Sequence, residues 1–173
     1  MSTQSPTHRL HLEQRLVLGW EEWVAMPGLG LPAIKVKIDT GAKTSALHAE
    51  AIEPIGHPSA QRVRFTVRPS PRRPDIVIAC SAPVIDRRKV TSSNGIPEDR
   101  YVILAGISIA GRTWPIEITL SDRRDMNYRM LIGRQALKAG DVLIEPGASF
   151  RQPRLGLKLY TEFKRPKSQR RTA

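Results

Sequence analysis

Ile34, Val36 and Ile38 alternate with Lys35 and Lys37, a period of two that turns apolar side chains to one face and lysines to the other. That pattern predicts a strand with one face buried. Asp39 follows directly, just past the strand's end. Similar short runs predict strands over 62–67, 76–80, 101–104, 107–109, 114–120 and 142–144, with Ala110-Gly111 as a two-residue hairpin turn. Pro115 suits an edge position or a strand start, because it has no amide to give a ladder. Helical spacing is convincing only from Gln135 to Ala139, with Gly140 expected to end the helix as a C-terminal glycine does. Pro69 to Pro74 carries three prolines and reads as an exposed loop. The chain is therefore expected to be mainly β, with one short helix near its C-terminal end.

Length and composition sharpen this without changing it. The 173 residues suit one hydrophobic core, and 14 prolines with 12 glycines suit many short strands joined by turns. We expect a polar leader over 1–14, a folded domain over 15–160 and a basic tail over 161–173. No apolar run approaches the roughly 20 residues of a membrane-spanning helix, and no signal-peptide pattern opens the chain. Cys80 is the single cysteine, so no internal disulfide can form and a reducing cytoplasm is the expected location. The formal net charge is +12, which favours anionic partners such as acidic peptides, nucleic acid or the ribosome without choosing among them.

The sharpest chemical feature is Asp39-Thr40-Gly41-Ala42, a carboxylate on a turn followed by a hydroxyl and two small residues. Taken alone it is also an ordinary aspartate turn. Far downstream, Leu131-Ile132-Gly133-Arg134 runs branched apolar residues into a glycine and a helix. The pair, in this order, resembles the retropepsins, whose Asp-Thr-Gly-Ala loop packs beside such a segment. The likeness is greater to a bacterial family of retropepsin-like proteins often labelled "ATP-dependent zinc proteases" and associated with an ATP-grasp ligase that adds glutamates to a ribosomal protein. It covers Val17 to Pro146 and rests on Gly19 to Val24, Lys37 to Ala49, Arg88 to Gly95, and Arg123 to Met126 leading into Leu131 to Arg134.

This resemblance implies a closed retropepsin-like β-barrel. Asp39 would be the catalytic residue, with Thr40 and Gly41 in its loop and Ala42, Leu131, Ile132 and Gly133 in support. The segment from Lys89 to Arg100 would form a hairpin flap, placing Ser92, Asn94 and Gly95 over the cleft. Gln135 departs from viral retropepsins, which usually have Asp or Asn after the Gly-Arg. Aspartic hydrolysis needs two carboxylates sharing a proton, and one chain offers one Asp-Thr-Gly. A homodimer with two copies of Asp39 is the leading expectation, and Asp125 as second carboxylate within one chain is the other.

Lys43, Arg88, Arg100, Arg123 and Arg134 stand in or beside the matching motifs and are candidates to hold substrate carboxylates, an oligoglutamate tail above all; solvated surface charge is the plainer reading of each. No metal or cofactor is expected of the chain: His8, His11, His48 and His57 lack ligand spacing, and no phosphate-binding loop is present. His48 is expected to pack or cap beside the catalytic turn, Trp20 and Trp23 to be structural, and Cys80 to be inert. The function expected is an aspartic peptide hydrolase. Its alternatives are a non-catalytic module of the same fold that binds acidic peptide or RNA, and a regulatory partner of the glutamate ligase.

Overall fold

A computed structural model of the protein describes residues 15–91 and 94–161. The leader expected at 1–14, Ser92, and the tail beyond Thr161 lie outside the described residues. Eleven strands and one helix follow in order: β1 (Leu16–Leu18), β2 (Glu21–Met26), β3 (Leu31–Asp39), β4 (Ser45–His48), β5 (Glu50–Ile55), β6 (Arg62–Val67), β7 (Ile78–Thr91), β8 (Pro97–Ile109), β9 (Arg112–Ser121), β10 (Met130–Gly133), α1 (Arg134–Ala139) and β11 (Val142–Ile144). The described residues are mainly β with one short helix.

Nine strands make one sheet in the order β2-β3-β10-β4-β9-β8-β7-β6-β5, and β1 pairs with β11 in parallel as a separate two-stranded sheet. Its decisive feature is β10, inserted between β3, to which it is parallel, and β4, to which it is antiparallel. Residues 40–44 must therefore bridge over the end of β10 to join β3 to β4. A single pair, Ala25 with Ser108, also sets β2 against β8. The sheet encloses an apolar cluster in which Val24, Ile34, Val36, Leu47, Ile103, Ile107, Ile118 and Ile132 are fully buried. Burying such side chains is the main favourable term of the fold, about 1.5–3 kcal/mol each. In β3 the apolar Ile34, Val36 and Ile38 face this core while Lys35 and Lys37 turn outward, as their alternation predicts.

β7 and β8 form a long hairpin whose inner halves belong to the sheet, Val84 opposite Ile103, and whose outer halves pair Arg88 with Arg100 and Thr91 with Pro97. The runs at 101–104 and 107–109 are one strand, since the ladder to β9 continues through Ala105 and Gly106. Ile76 is not in a strand: its amide bonds the Arg73 carbonyl at 3.1 Å in a turn, and its side chain is buried with Ala33 and Tyr160. Pro115 lies in β9 opposite Gly106, ahead of the stretch of β9 that pairs with β4, so its missing amide costs no bond on that side. The Ala110-Gly111 turn has φ of 50° and 77°, the left-handed pair of a type I′ hairpin.

Gly140 ends α1 differently from expectation. Its φ is −83°, and the left-handed residue is Asp141 at φ 51°. Glycine is required there for space, because a Cβ would lie 2.5 Å from the Trp114 ring. Sequence patterning also passes over β4, all four of whose residues are buried, so that no alternation shows, and β5, an edge strand holding Glu50, Glu53 and Pro54.

Candidate functional site

The end of β3 sets Asp39 beside Gly133 of β10. The Asp39 carboxylate is half-buried, and its Oδ1 accepts hydrogen bonds from the amides of Gly41 at 3.1 Å and Ala42 at 3.2 Å. The loop is then tied down from below. The Arg134 and Gln135 amides donate to the carbonyls of Ala42 and Lys43 at 2.7 and 3.1 Å, and the Arg134 guanidinium donates to the Thr40 carbonyl at 2.9 Å. The Gly133 amide donates to Ser45 Oγ at 3.0 Å. A Cβ on Gly133 would fall 2.5 Å from the Thr44 backbone. The glycine is therefore what lets β10 pass beneath the loop, and the pairing of distant segments read in the sequence has this physical cause. Thr40 and Gly41 are exposed on the rim, Ala42 is half-buried, and Gln135 is exposed on α1.

The candidate cations separate by their partners. The Arg134 guanidinium serves the loop. Arg88 sits in the hairpin stem with its guanidinium divided between Asp86 at 2.6 Å and Glu117 at 3.0 Å, and these carboxylates hold its proton more tightly than usual. Arg100 donates to Glu98 at 3.0 Å. Lys43 is exposed on the loop. Arg123 differs from all of these. It is half-buried, and its Nε is buried without a hydrogen-bond partner. Burial and the neighbouring Arg100 pull its pKa below the usual arginine range, while Asp39 acts in the opposite direction. A partly desolvated guanidinium that feels both a second guanidinium and the Asp39 carboxylate is poised to receive an anion.

Arg100 and Arg123 line a cavity of about 290 Å³ together with Asn94, Ser121, Asp122 and Asp125. The Ser121 hydroxyl is buried and lacks a partner too. Of the described residues at the hairpin tip, Asn94 lines the cavity; Asn94, Gly95 and Ile96 are exposed, and Gly95 takes φ 78°. The geometry thus brings Arg100, Arg123 and Asn94 to one cavity, linked to Asp39 by the charge that Arg123 feels, and it pairs the Arg88 and Arg134 guanidinium groups with other partners. Two contributors were not singled out from sequence. Ser121 ends β9, and Arg129 donates to the carbonyls of Arg123 and Arg124. Neither has a local signal, because its role depends on a strand pairing or a loop closure.

A zinc ion, which the family label suggests, does not fit the described donors. No group of three or more His, Cys, Asp or Glu among the described residues is placed to hold a metal. His48 is fully buried and bonded at both ring nitrogens, and His57 caps a short exposed turn through Ser59. Cys80 is buried, donates to the Leu29 carbonyl at 3.2 Å, and has its pKa pushed up to about 12 by burial, which leaves an inert thiol. Trp23 packs against the Ala33, Ile76 and Tyr160 cluster. Trp20 is partly exposed and meets Tyr128 edge to face. Among the described residues no helix is long and apolar enough to cross a membrane.

Comparison with known proteins agrees with this geometry. Over 138 residues the chain is 42% identical to a probable alpha-L-glutamate ligase of Shewanella pealeana, covering 80% of this chain and 30% of that protein. It is 44% identical, also over 138 residues, to one of Parasynechococcus marenigrum, covering 80% and 29%. The chain thus spans less than a third of the length of these relatives. A crystal structure of a Legionella pneumophila protein of unknown function superposes with a TM-score of 0.68 at 25% identity, covering 79% of this chain and 97% of that one. Residues 17–155 match the model of the RimB-like family, described as retropepsin-like aspartic endopeptidase RimB. With its Asp-Thr-Gly loop laid over an inserted strand and pinned by a Gly-Arg helix start, the chain belongs to this RimB-like, retropepsin-like family.

Proposed function

We propose that the protein is a cytoplasmic aspartic peptide hydrolase that trims acidic peptides, glutamate tails on a ribosomal protein above all. The observation that carries the reading is Asp39: a half-buried carboxylate fixed on one oxygen by two loop amides, within the electrostatic reach of a desolvated Arg123. In this reading Thr40 and Gly41 shape the loop, and Arg123, Arg100, Lys43 and Asn94 hold substrate under the hairpin. The second carboxylate is Asp39 of a second copy in a two-fold homodimer. One carboxylate of the pair activates water and the other, protonated, donates to the substrate carbonyl or leaving nitrogen. The same reading treats β2, β3, β10, β4, β9 and β8 as a closed barrel, supported by the Ala25 to Ser108 pair. Hydrolysis of an oligoglutamate-tailed peptide by the wild type and by a folded Asp39→Asn variant, each with and without chelator, tests it. Cleavage that resists chelator and is lost in the variant supports the reading; cleavage that survives Asp39→Asn removes it.

A second reading draws on the relatives, which are named as ligases and are more than three times the length matched here. In it the domain works beside a glutamate ligase as a regulatory or substrate-holding module. It requires that any effect on ligation persist in Asp39→Asn, whereas the hydrolase reading requires that it vanish.

A further inference from the structure

His48, the last residue of β4, lies beneath the loop that carries Arg123 and is fully buried. Its Nδ1 is 2.9 Å from the Arg123 amide, which donates to it. A ring nitrogen that accepts carries no proton, so this network assigns the proton to Nε2, which donates to Glu50 Oε1 at 3.0 Å. Glu50 also accepts from Arg68 at 3.1 Å. The other side of the same loop is gripped as well. Arg129 donates to the Arg123 carbonyl at 3.2 Å and to that of Arg124 at 2.7 Å, while the His48 amide donates to the Arg129 carbonyl at 2.7 Å. Main-chain groups on both sides of Arg123 are thereby fixed from inside the protein, leaving its partly buried side chain to the cleft.

We infer that His48 is a positioning residue: by accepting the Arg123 amide at Nδ1 it aims that guanidinium at the carboxylate of an acidic substrate, without itself touching substrate. This rests on the acidic-peptide reading above. The competing account is a histidine that merely fills the core. The two differ in what they require of the side chain. Asparagine can place its amide oxygen near the position of Nδ1, whereas glutamine reaches the position of Nε2 and leaves the Arg123 amide without its acceptor.

The test compares kcat/KM on an oligoglutamate peptide with kcat/KM on its glutamine counterpart, for the wild type, His48→Asn, His48→Gln, Arg123→Gln and the His48→Gln/Arg123→Gln double variant. Each ratio is taken on one preparation, so the folded fraction cancels. The expected results are a preference that falls about tenfold or more in His48→Gln, the scale of a lost hydrogen bond to a charged group. The double variant falls no further than Arg123→Gln alone, and His48→Asn stays near the wild type. Equal losses in the Asn and Gln variants, or additive losses in the double variant, overturn the inference, as does a preference that His48→Gln retains. If His48→Gln does not fold, His48→Leu, of similar size but with no acceptor, takes its place: a preference lost in His48→Leu and kept in His48→Asn supports the inference, and the same outcome in both variants overturns it. A wild type with no preference removes the acidic-peptide reading, and the role for His48 goes with it.

Discussion

At the scale of single residues, space and charge decide more than residue type. Gly133 and Gly140 both sit where a Cβ would strike fixed atoms, the Thr44 backbone and the Trp114 ring. Gly133→Ala should cost about 3 kcal/mol of stability, read from the denaturation midpoint, because backbone cannot yield as a side-chain tip can. The arginines divide in the same way by surroundings. Arg123→Gln should lower kcat/KM on acidic substrates about tenfold or more while sparing neutral ones. Arg88→Gln should leave that preference nearly unchanged, because its guanidinium already answers Asp86 and Glu117. Equal loss of preference in both would show that the cleft does not sort its cations by burial. Glu50 illustrates the pH consequence. The hydrogen bond from His48, and then Arg68, hold its carboxyl below the ordinary value of 4.5. A lowered folded pKa stabilises the protein above the unfolded value, and that contribution fades as pH falls through the folded one. Glu50→Gln should therefore flatten the loss of stability below about pH 4.5, an effect kept small by the carboxylate's partial exposure.

At the scale of elements, two turns of the β7 to β9 meander hold residues at positive φ. Ala110 takes φ 50° in a tight turn that favours asparagine or glycine. Ala110→Asn should raise stability by about 0.5–1 kcal/mol, a shift of a few degrees in Tm, with no change in activity. Gly95 at φ 78° belongs to the exposed tip of the β7 to β8 hairpin. Gly95→Val should cost about 1–2 kcal/mol of stability, because a β-branched residue is strained at this positive φ although nothing lies close to it, and should lower kcat/KM by disturbing the hairpin tip. A fall in Tm matching that of Gly133→Ala would instead make the tip part of the core. These elements differ in how far they could be read from sequence. β3 and β6 alternate cleanly because one face of each is covered. β4 escapes notice because both of its faces are covered, and β5 because an edge strand tolerates Glu and Pro.

At the scale of the whole molecule, the inserted strand β10 joins two segments some ninety residues apart into one site. A site built by long-range pairing forms only with the fold, so activity and tertiary structure should be lost together on denaturation. The dimer reading adds a dependence on concentration. Specific activity should fall on dilution through the dimer's dissociation constant, and a constant value down to nanomolar protein would favour a second carboxylate within one chain.

The sequence by itself determined the strand periods of the core, the Asp-Thr-Gly loop and its distant Gly-Arg partner, because periodicity, turn chemistry and motif order are properties of neighbouring residues. Only the tertiary structure decided which cation is desolvated beside Asp39, that Arg88 and Arg134 are already occupied, and that His48 grips Arg123 from 75 residues away. Burial and partner choice depend on strands far apart in the chain meeting across β10 and β4, and no local pattern of residues encodes that meeting.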